Sequence, residues 1–188
     1  KQGPQPKFSL PPIEKAKLSN GLEIWMVEQK ELPIISMNLV LKTGSVNEPD
    51  DRTGVSGLMT QLLDDGTKTR SAVEIANQLQ GIGASVNPVF PAKELESLRS
   101  RALVGLRQQR SNPNAISNNV YAKVLYGDQP YGRDNNEASL KAITRDDLVK
   151  YYESTFRPNN GVLIVVGDFN KATLKSKLEK AFANWKPG

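Results

Sequence analysis

Apolar residues mark out strands near the start of this chain and helical stripes after them. Asn20-Gly21 predicts a tight type I′ turn between a strand at Lys15–Leu18 and another at Leu22–Glu28. Pro33 then leads into Ile34–Leu41, a further strand ending near Gly44-Ser45, and the polar, Pro49-containing stretch Val46–Arg52 reads as a loop. From Thr53 the rhythm changes. Val55, Leu58, Met59 and Leu62 recur at helical spacing and predict a helix over Thr53–Leu63, with Gly57, Thr60 and Gln61 together on its opposite side. Ser71-Ala72-Val73-Glu74 is a capping-box pattern opening a second helix with Ile75, Leu79 and Ile82 inward. Gly83–Asn87 begins as a strand and is cut short by Pro88.

Four more helices follow. Ala92–Ser111 carries the stripe Leu95, Leu98, Ala102 and Leu106, and Pro113 suits the first turn of a helix running to Tyr126. After the Gly127–Arg133 loop, Thr144-Arg145-Asp146-Asp147 caps a helix whose apolar face is Leu148, Tyr151, Tyr152 and Phe156. Arg157–Asn160 turns the chain into Gly161–Gly167, an apolar run suited to a central strand. Lys171–Phe182 closes as a helix with Leu174, Leu178, Ala181 and Phe182 inward. Early strands, then helices, then one late strand argue for an α+β fold rather than an alternating doubly wound one. Residues 1–12 read as an extended lead-in and 13–188 as one domain.

Composition adds mainly exclusions. A chain of 188 residues with 24 % charged and 38 % hydrophobic residues is ordinary for a globular protein. No apolar run approaches the roughly 18 residues of a membrane helix. The net charge is +5, but the densest basic group, Arg99, Arg101, Arg107 and Arg110, has no aromatic residue between its members for base stacking and reads as a solvated helix face. Nucleic acid is therefore not an expected partner. With no histidine and no cysteine, the ordinary zinc ligands are missing outright. The paired acids offer no substitute. Asp50-Asp51 lies in a loop, Asp64-Asp65 at a helix end and Asp146-Asp147 in a first turn, where aspartate serves as a cap. Ser56 has no histidine to activate it.

Several stretches, read in order, carry a resemblance. They are Leu18-Ser19-Asn20-Gly21-Leu22, Gly44-Ser45 with Glu48, Gly54 leading to Gly66-Thr67, and Gly83-Ala84-Ser85-Val86-Asn87. Then come Leu125–Arg133 (LYGDQPYGR), Ile143–Leu148 (ITRDDL), Tyr152, Pro158-Asn159-Asn160 and Val165–Phe169 (VVGDF). In this order they resemble the insulinase and mitochondrial-processing-peptidase family of zinc metallopeptidases. The resemblance implies a half-domain with a mostly antiparallel sheet and helices packed on one face. Active members carry His-x-x-Glu-His on the first helix, two imidazoles sharing one face around zinc with a glutamate acting on the bound water, and a later glutamate as third ligand. Position by position, Gly57 stands at the first histidine, Thr60 at the glutamate, Gln61 at the second histidine and Gly105 at the third ligand. None can do the original work. Apart from the resemblance, Gly57, Thr60 and Gln61 are only the wet side of an amphipathic helix; with it, they become the wall of a cleft whose chemistry is gone. Both readings leave no catalytic residue, no metal ligand and no cofactor.

The resemblance also implies more chain than is present. In the family the Gly-Ala-Ser-Val-Asn strand continues into a longer strand pair and a helix, whereas here Asn87 joins Pro88, so a few dozen residues are expected to be missing at that junction. Family enzymes are built from similar halves across a chamber, only one of which holds zinc. The expected role is thus a non-catalytic partner that closes the chamber and binds an extended peptide for a zinc-bearing homologous subunit or domain. The alternative is a structural subunit like the core proteins of a respiratory complex. By analogy with non-catalytic bacterial members, a periplasmic or otherwise exported protein is expected.

Overall fold

Residues 11–63 and 90–188 are described by a computed structural model. In chain order the elements are β1 (Glu14–Lys17), β2 (Glu23–Glu28), β3 (Ile35–Leu41), α1 (Val55–Gln61), α2 (Ala92–Gln109), α3 (Pro113–Tyr126), α4 (Glu137–Ala142), α5 (Arg145–Thr155), β4 (Gly161–Gly167) and α6 (Lys171–Phe182). The helix expected from Ser71, the strand expected at Gly83–Asn87, Asp64-Asp65 and the Asn87–Pro88 junction lie outside the described residues. The chain divides into two units, one holding the strands up to Lys42 with Phe156–Gly188, the other Thr43–Thr155.

In the first unit the strands form a sheet in the order β1-β2-β4-β3. The outer pairs β1–β2 and β3–β4 are antiparallel and the inner pair β2–β4 is parallel, an α+β arrangement with a mostly antiparallel sheet. The late apolar strand β4 is central, as its run of buried residues requires. Register places Ile24 beside Leu163 and Met26 beside Val165. On that face these four pack with Leu18, Leu22, Phe169 and, from α6, Leu174 and Leu178. Each such fully buried aliphatic side chain contributes about 1.5–3 kcal/mol. Ala181, expected inward, is exposed, because Phe182 and Trp185 stack at 5.8 Å and finish that end of the core instead.

The turn between β1 and β2 also differs from expectation. It is not type I′, since only Gly21 has a positive φ, at 90°. The Gly21 N–H donates to the Leu18 carbonyl at 3.0 Å, and the Leu18 N–H to the Leu22 carbonyl at 2.9 Å, giving a three-residue loop with glycine in the left-handed position. Asn20 keeps an ordinary φ because its side chain is engaged. Its Nδ2 donates to the Phe182 carbonyl at 2.9 Å and the Trp185 carbonyl at 3.2 Å, and its Oδ1 accepts from the Leu22 N–H.

In the second unit the apolar side of α1 is buried as its spacing predicts: Val55, Leu58, Met59 and Leu62 are all inside. Leu95 and Leu98 of α2, Leu140 of α4, and Leu148 and Tyr151 of α5 are buried too. The helix α1 is shorter than expected, because Gly54 at its N-cap has φ 97° and breaks the helical path before Val55. The helix α5 stops before Phe156, whose carbonyl instead accepts from the Trp185 indole at 3.0 Å in the first unit. Helix α4 was not expected from the pattern. It is six residues long and is opened by Asn136, whose Oδ1 accepts from the Ser139 N–H at 2.8 Å. Arg99 is not solvated either. Its guanidinium donates to the carbonyls of Leu140 and Ile143, the latter at 2.6 Å, and so holds the C-terminal end of α4. Its neighbours Arg101, Arg107 and Arg110 are exposed as expected.

Candidate functional site

The site begins with how α1 is held. Its two-turn length gives it little intrinsic stability, so its start is fixed from outside. The buried Glu48 carboxylate accepts from the Gly54 N–H and the Ser56 N–H, each at 2.9 Å, and from the Ser56 hydroxyl. These are the orphan donors of a helix N-terminus, where a carboxylate is favoured. A side chain at Gly54 would meet Leu140 Cδ2 at 2.8 Å, so this close approach needs glycine. Thr53 and Ser139 join the N-terminal ends of α1 and α4 through a 2.7 Å hydroxyl pair.

Helix α5 braces the same end. The Tyr151 hydroxyl donates to the Gly44 carbonyl at 2.8 Å and lies 3.2 Å from the Thr43 hydroxyl. Burial raises the Tyr151 pKa, and the Glu48 charge adds to that rise. Arg52 reaches Asp147 at 3.1 Å. Burial alone would raise the Asp147 pKa, but the Thr144 N–H and hydroxyl, each at 2.8 Å, together with Arg52, hold it below its ordinary value. Asp147 is thus a cap, as read from the sequence, and its partner Thr144 completes a reciprocal pair through the Asp147 N–H at 3.2 Å. Asp51 pairs with Arg52 at 2.7 Å and Asp50 with Arg133 at 2.6 Å, so both loop acids serve as ion-pair partners.

The other side of α1 is empty by comparison. Gly57, Thr60 and Gln61 are all exposed. The Thr60 hydroxyl donates to the Ser56 carbonyl at 2.8 Å, and the Gln61 amide to the Gly57 carbonyl at 3.3 Å. Both side chains therefore fold back one turn onto their own helix and offer nothing outward in a fixed direction. Gly105 lies half-buried in α2, a helix that contacts α1. Among the described residues, a Cβ added at Gly57 or at Gly105 would meet nothing within 4 Å.

A family model described as insulinase, peptidase family M16, matches residues 24–122, just over half of the chain. The chain belongs to the insulinase family. A second model, the peptidase M16 inactive domain, matches residues 142–188. That stretch contains none of Gly57, Thr60, Gln61 or Gly105, so the emptiness of the α1 face is carried by those residues themselves. An uncharacterized zinc protease of Rickettsia felis is 22 % identical over 207 aligned positions, which cover 92 % of this insulinase-family chain and 50 % of that protein. The solved peptidase M16 inactive domain from Pseudomonas fluorescens superposes with a TM-score of 0.83 at 22 % identity, over 94 % of this chain and 51 % of that one. The periplasmic protease PqqL of Escherichia coli shares the fold at a TM-score of 0.74 and 15 % identity, over 93 % of this chain and 24 % of its own. The chain spans about half the length of the first relatives it matches.

Zinc, which the family implies, does not fit the residues present. Gly57 and Gly105 bring no donor atom, Gln61 is a neutral amide already donating to its own helix, and Thr60 is no base near pH 7. Among the described residues, no three His, Cys, Asp or Glu side chains gather as a metal cluster would require. None of the helices among them is long and apolar enough to cross a membrane. Sequence reasoning placed the empty positions on α1; it passed over Glu48 as a site-building residue, and only its spacing after Gly44-Ser45 within the family pattern pointed to it.

Proposed function

We propose that this chain is a non-catalytic insulinase-family domain, with Gly57, Thr60, Gln61 and Gly105 as vestiges of the zinc site. It closes a chamber around an extended peptide for a zinc-bearing homologous subunit or domain. The observation behind this reading is the contrast within one short helix: a glutamate clamp, a left-handed glycine and a buried stripe hold α1 in place, while its outward side has neither ligand nor base. A frame kept this closely without its chemistry is suited to shaping a binding surface. The half-length match to relatives described as zinc proteases supports a partner half that supplies the metal, and the likeness to a periplasmic protease supports an exported setting.

The test is to mix the full-length protein with a zinc-bearing homologue from the same genome and follow cleavage of a quenched fluorescent peptide. Cleavage well above that of the homologue alone, together with co-elution of the two, is expected. Co-elution without any change in cleavage would favour a structural subunit instead, and no complex at all would reject the partner role.

A further inference from the structure

An asparagine followed by glycine can be attacked by its own backbone. Asparagine is chemically labile, and a following glycine has no Cβ to hinder the approach of its nitrogen. The glycine nitrogen attacks the asparagine Cγ, the Cγ–Nδ2 bond breaks, and the displaced nitrogen leaves as ammonia with the glycine N–H proton. Water then opens the cyclic imide at either carbonyl. The product is aspartate, or isoaspartate with the backbone rerouted through Cβ and Cγ. The sequence holds two such pairs, Asn20-Gly21 and Asn160-Gly161.

At Asn20 the fold engages each reacting group. The Gly21 N–H, the source of the nucleophile, donates to the Leu18 carbonyl at 3.0 Å. The departing Nδ2 donates to the Phe182 and Trp185 carbonyls at 2.9 and 3.2 Å, and Oδ1 accepts from the Leu22 N–H at 3.2 Å. Attack requires Gly21 to release its proton and the side chain to turn, so it waits for the loop to open. Asn160-Gly161 is guarded more deeply. Gly161 is buried, lies opposite Leu41 in the central strand β4, and a Cβ there would meet Leu41 and Leu22 at 3.1 and 3.3 Å. Freeing it means parting β3 from β4, whereas the Asn20 loop is a short connection that can open by itself at smaller cost.

The geometry points to Asn20 as a site of deamidation that the closed loop guards, and whose conversion undoes the tie between this loop and the end of α6. Aspartate has no N–H to give and sets its carboxylate against the Phe182 and Trp185 carbonyls. Isoaspartate also lengthens the backbone inside the loop and shifts the Gly21 N–H away from the Leu18 carbonyl. Neither product restores the original bonds.

Trypsin releases Asn20 within Leu18–Lys30 and Asn160 within Tyr151–Lys171, because Pro158 protects the bond after Arg157. The full-length protein is aged at mildly alkaline pH, folded and in guanidinium chloride, and the mass gain of amide-to-acid conversion is located by fragmentation. The unfolded chain sets the reference rate at each pair. Folding is expected to slow Asn20 at least about tenfold, as for a loop open less than about a tenth of the time, and to slow Asn160 further still. An Asn20 rate unchanged by folding, or slowed more than that of Asn160, would overturn the inference. Asn20→Asp tests the consequence. Its Trp185 amide, which donates to the Phe182 carbonyl at 3.0 Å, is expected to exchange several-fold faster with solvent; unchanged exchange would overturn the tie. The same measurement on the acidic fraction of the aged folded protein, separated by ion exchange, decides the matter if the variant does not fold.

Discussion

The two sides of α1 have opposite characters although they belong to the same two turns of backbone. Inward, four apolar residues are buried, and Glu48, Gly54, Thr53 and Tyr151 hold the start of the helix through bonds of 2.7 to 2.9 Å. Outward, two side chains bond only their own helix, and among the described residues nothing lies within 4 Å of where a Cβ at Gly57 would stand. Positions that hold the frame are coupled to many neighbours, so changing one disturbs the rest. Positions on the outward side bond only their own helix among the described residues, so a change there disturbs little.

The largest expected effect lies on the inward side. Leu62→Ala removes a fully buried side chain and should lower stability by about 2–5 kcal/mol in urea unfolding. The outward substitution Gln61→Ala should stay within about 0.5 kcal/mol. Comparable losses at both positions would erase the distinction. Glu48→Ala comes next, because it leaves the Gly54 and Ser56 N–H groups without their acceptor, and a loss of about 1–3 kcal/mol is expected. Fraying confined to α1 should accompany it in hydrogen exchange.

The acid response sharpens the same contrast. The Asp147 carboxyl is held below its ordinary value in the folded state. Its contribution is thus complete above the ordinary aspartate range and is lost as pH falls through the folded value. Asp147→Asn should be less stable than the parent near pH 7 and should lose less on acidification, as followed by thermal melts from pH 7 to 3. A parallel pair of curves would mean that the Thr144 and Arg52 contacts do not favour the charged form. The smallest effect should be a gain. Gly57→Ala and Gly105→Ala each place a methyl where nothing stands within 4 Å, at helical positions, and each should add about 0.5–1 kcal/mol. No gain would show that another part of the protein covers the open side in solution.

Much of this was legible in the sequence because α1, α2, α5 and α6 bury stripes at helical spacing, and β4 reads as an uninterrupted apolar run. The absence of histidine and cysteine was legible directly, since a missing imidazole is visible without a structure. Other features were hidden for physical reasons. Helix α4 is six residues long, too short for a period to emerge, and depends on Asn136 and Arg99, which act from outside its own run. The turn at Asn20 follows the carbonyls of Phe182 and Trp185, more than 160 residues away, which no local preference contains. Phe90, between prolines and valine in a breaker-rich stretch, gave no sign that it would be buried with φ 49°. The role of Glu48 needs the return of the chain at Gly54, which no local preference of a glutamate beside a proline contains; only its place after Gly44-Ser45 in the family pattern marked it.

The parallel pairing of β2 with β4 has a consequence for how the protein is made. Strands β2 and β3 leave the ribosome early, each lacking the neighbour that will fill the gap between them. That neighbour follows more than a hundred residues later, which at the usual ~5–20 residues per second is a wait of roughly 6 to 25 seconds. For that interval the nascent chain displays β3 without its partner and β2 with the edge away from β1 open, and the newborn protein must be shielded from its own copies until β4 arrives.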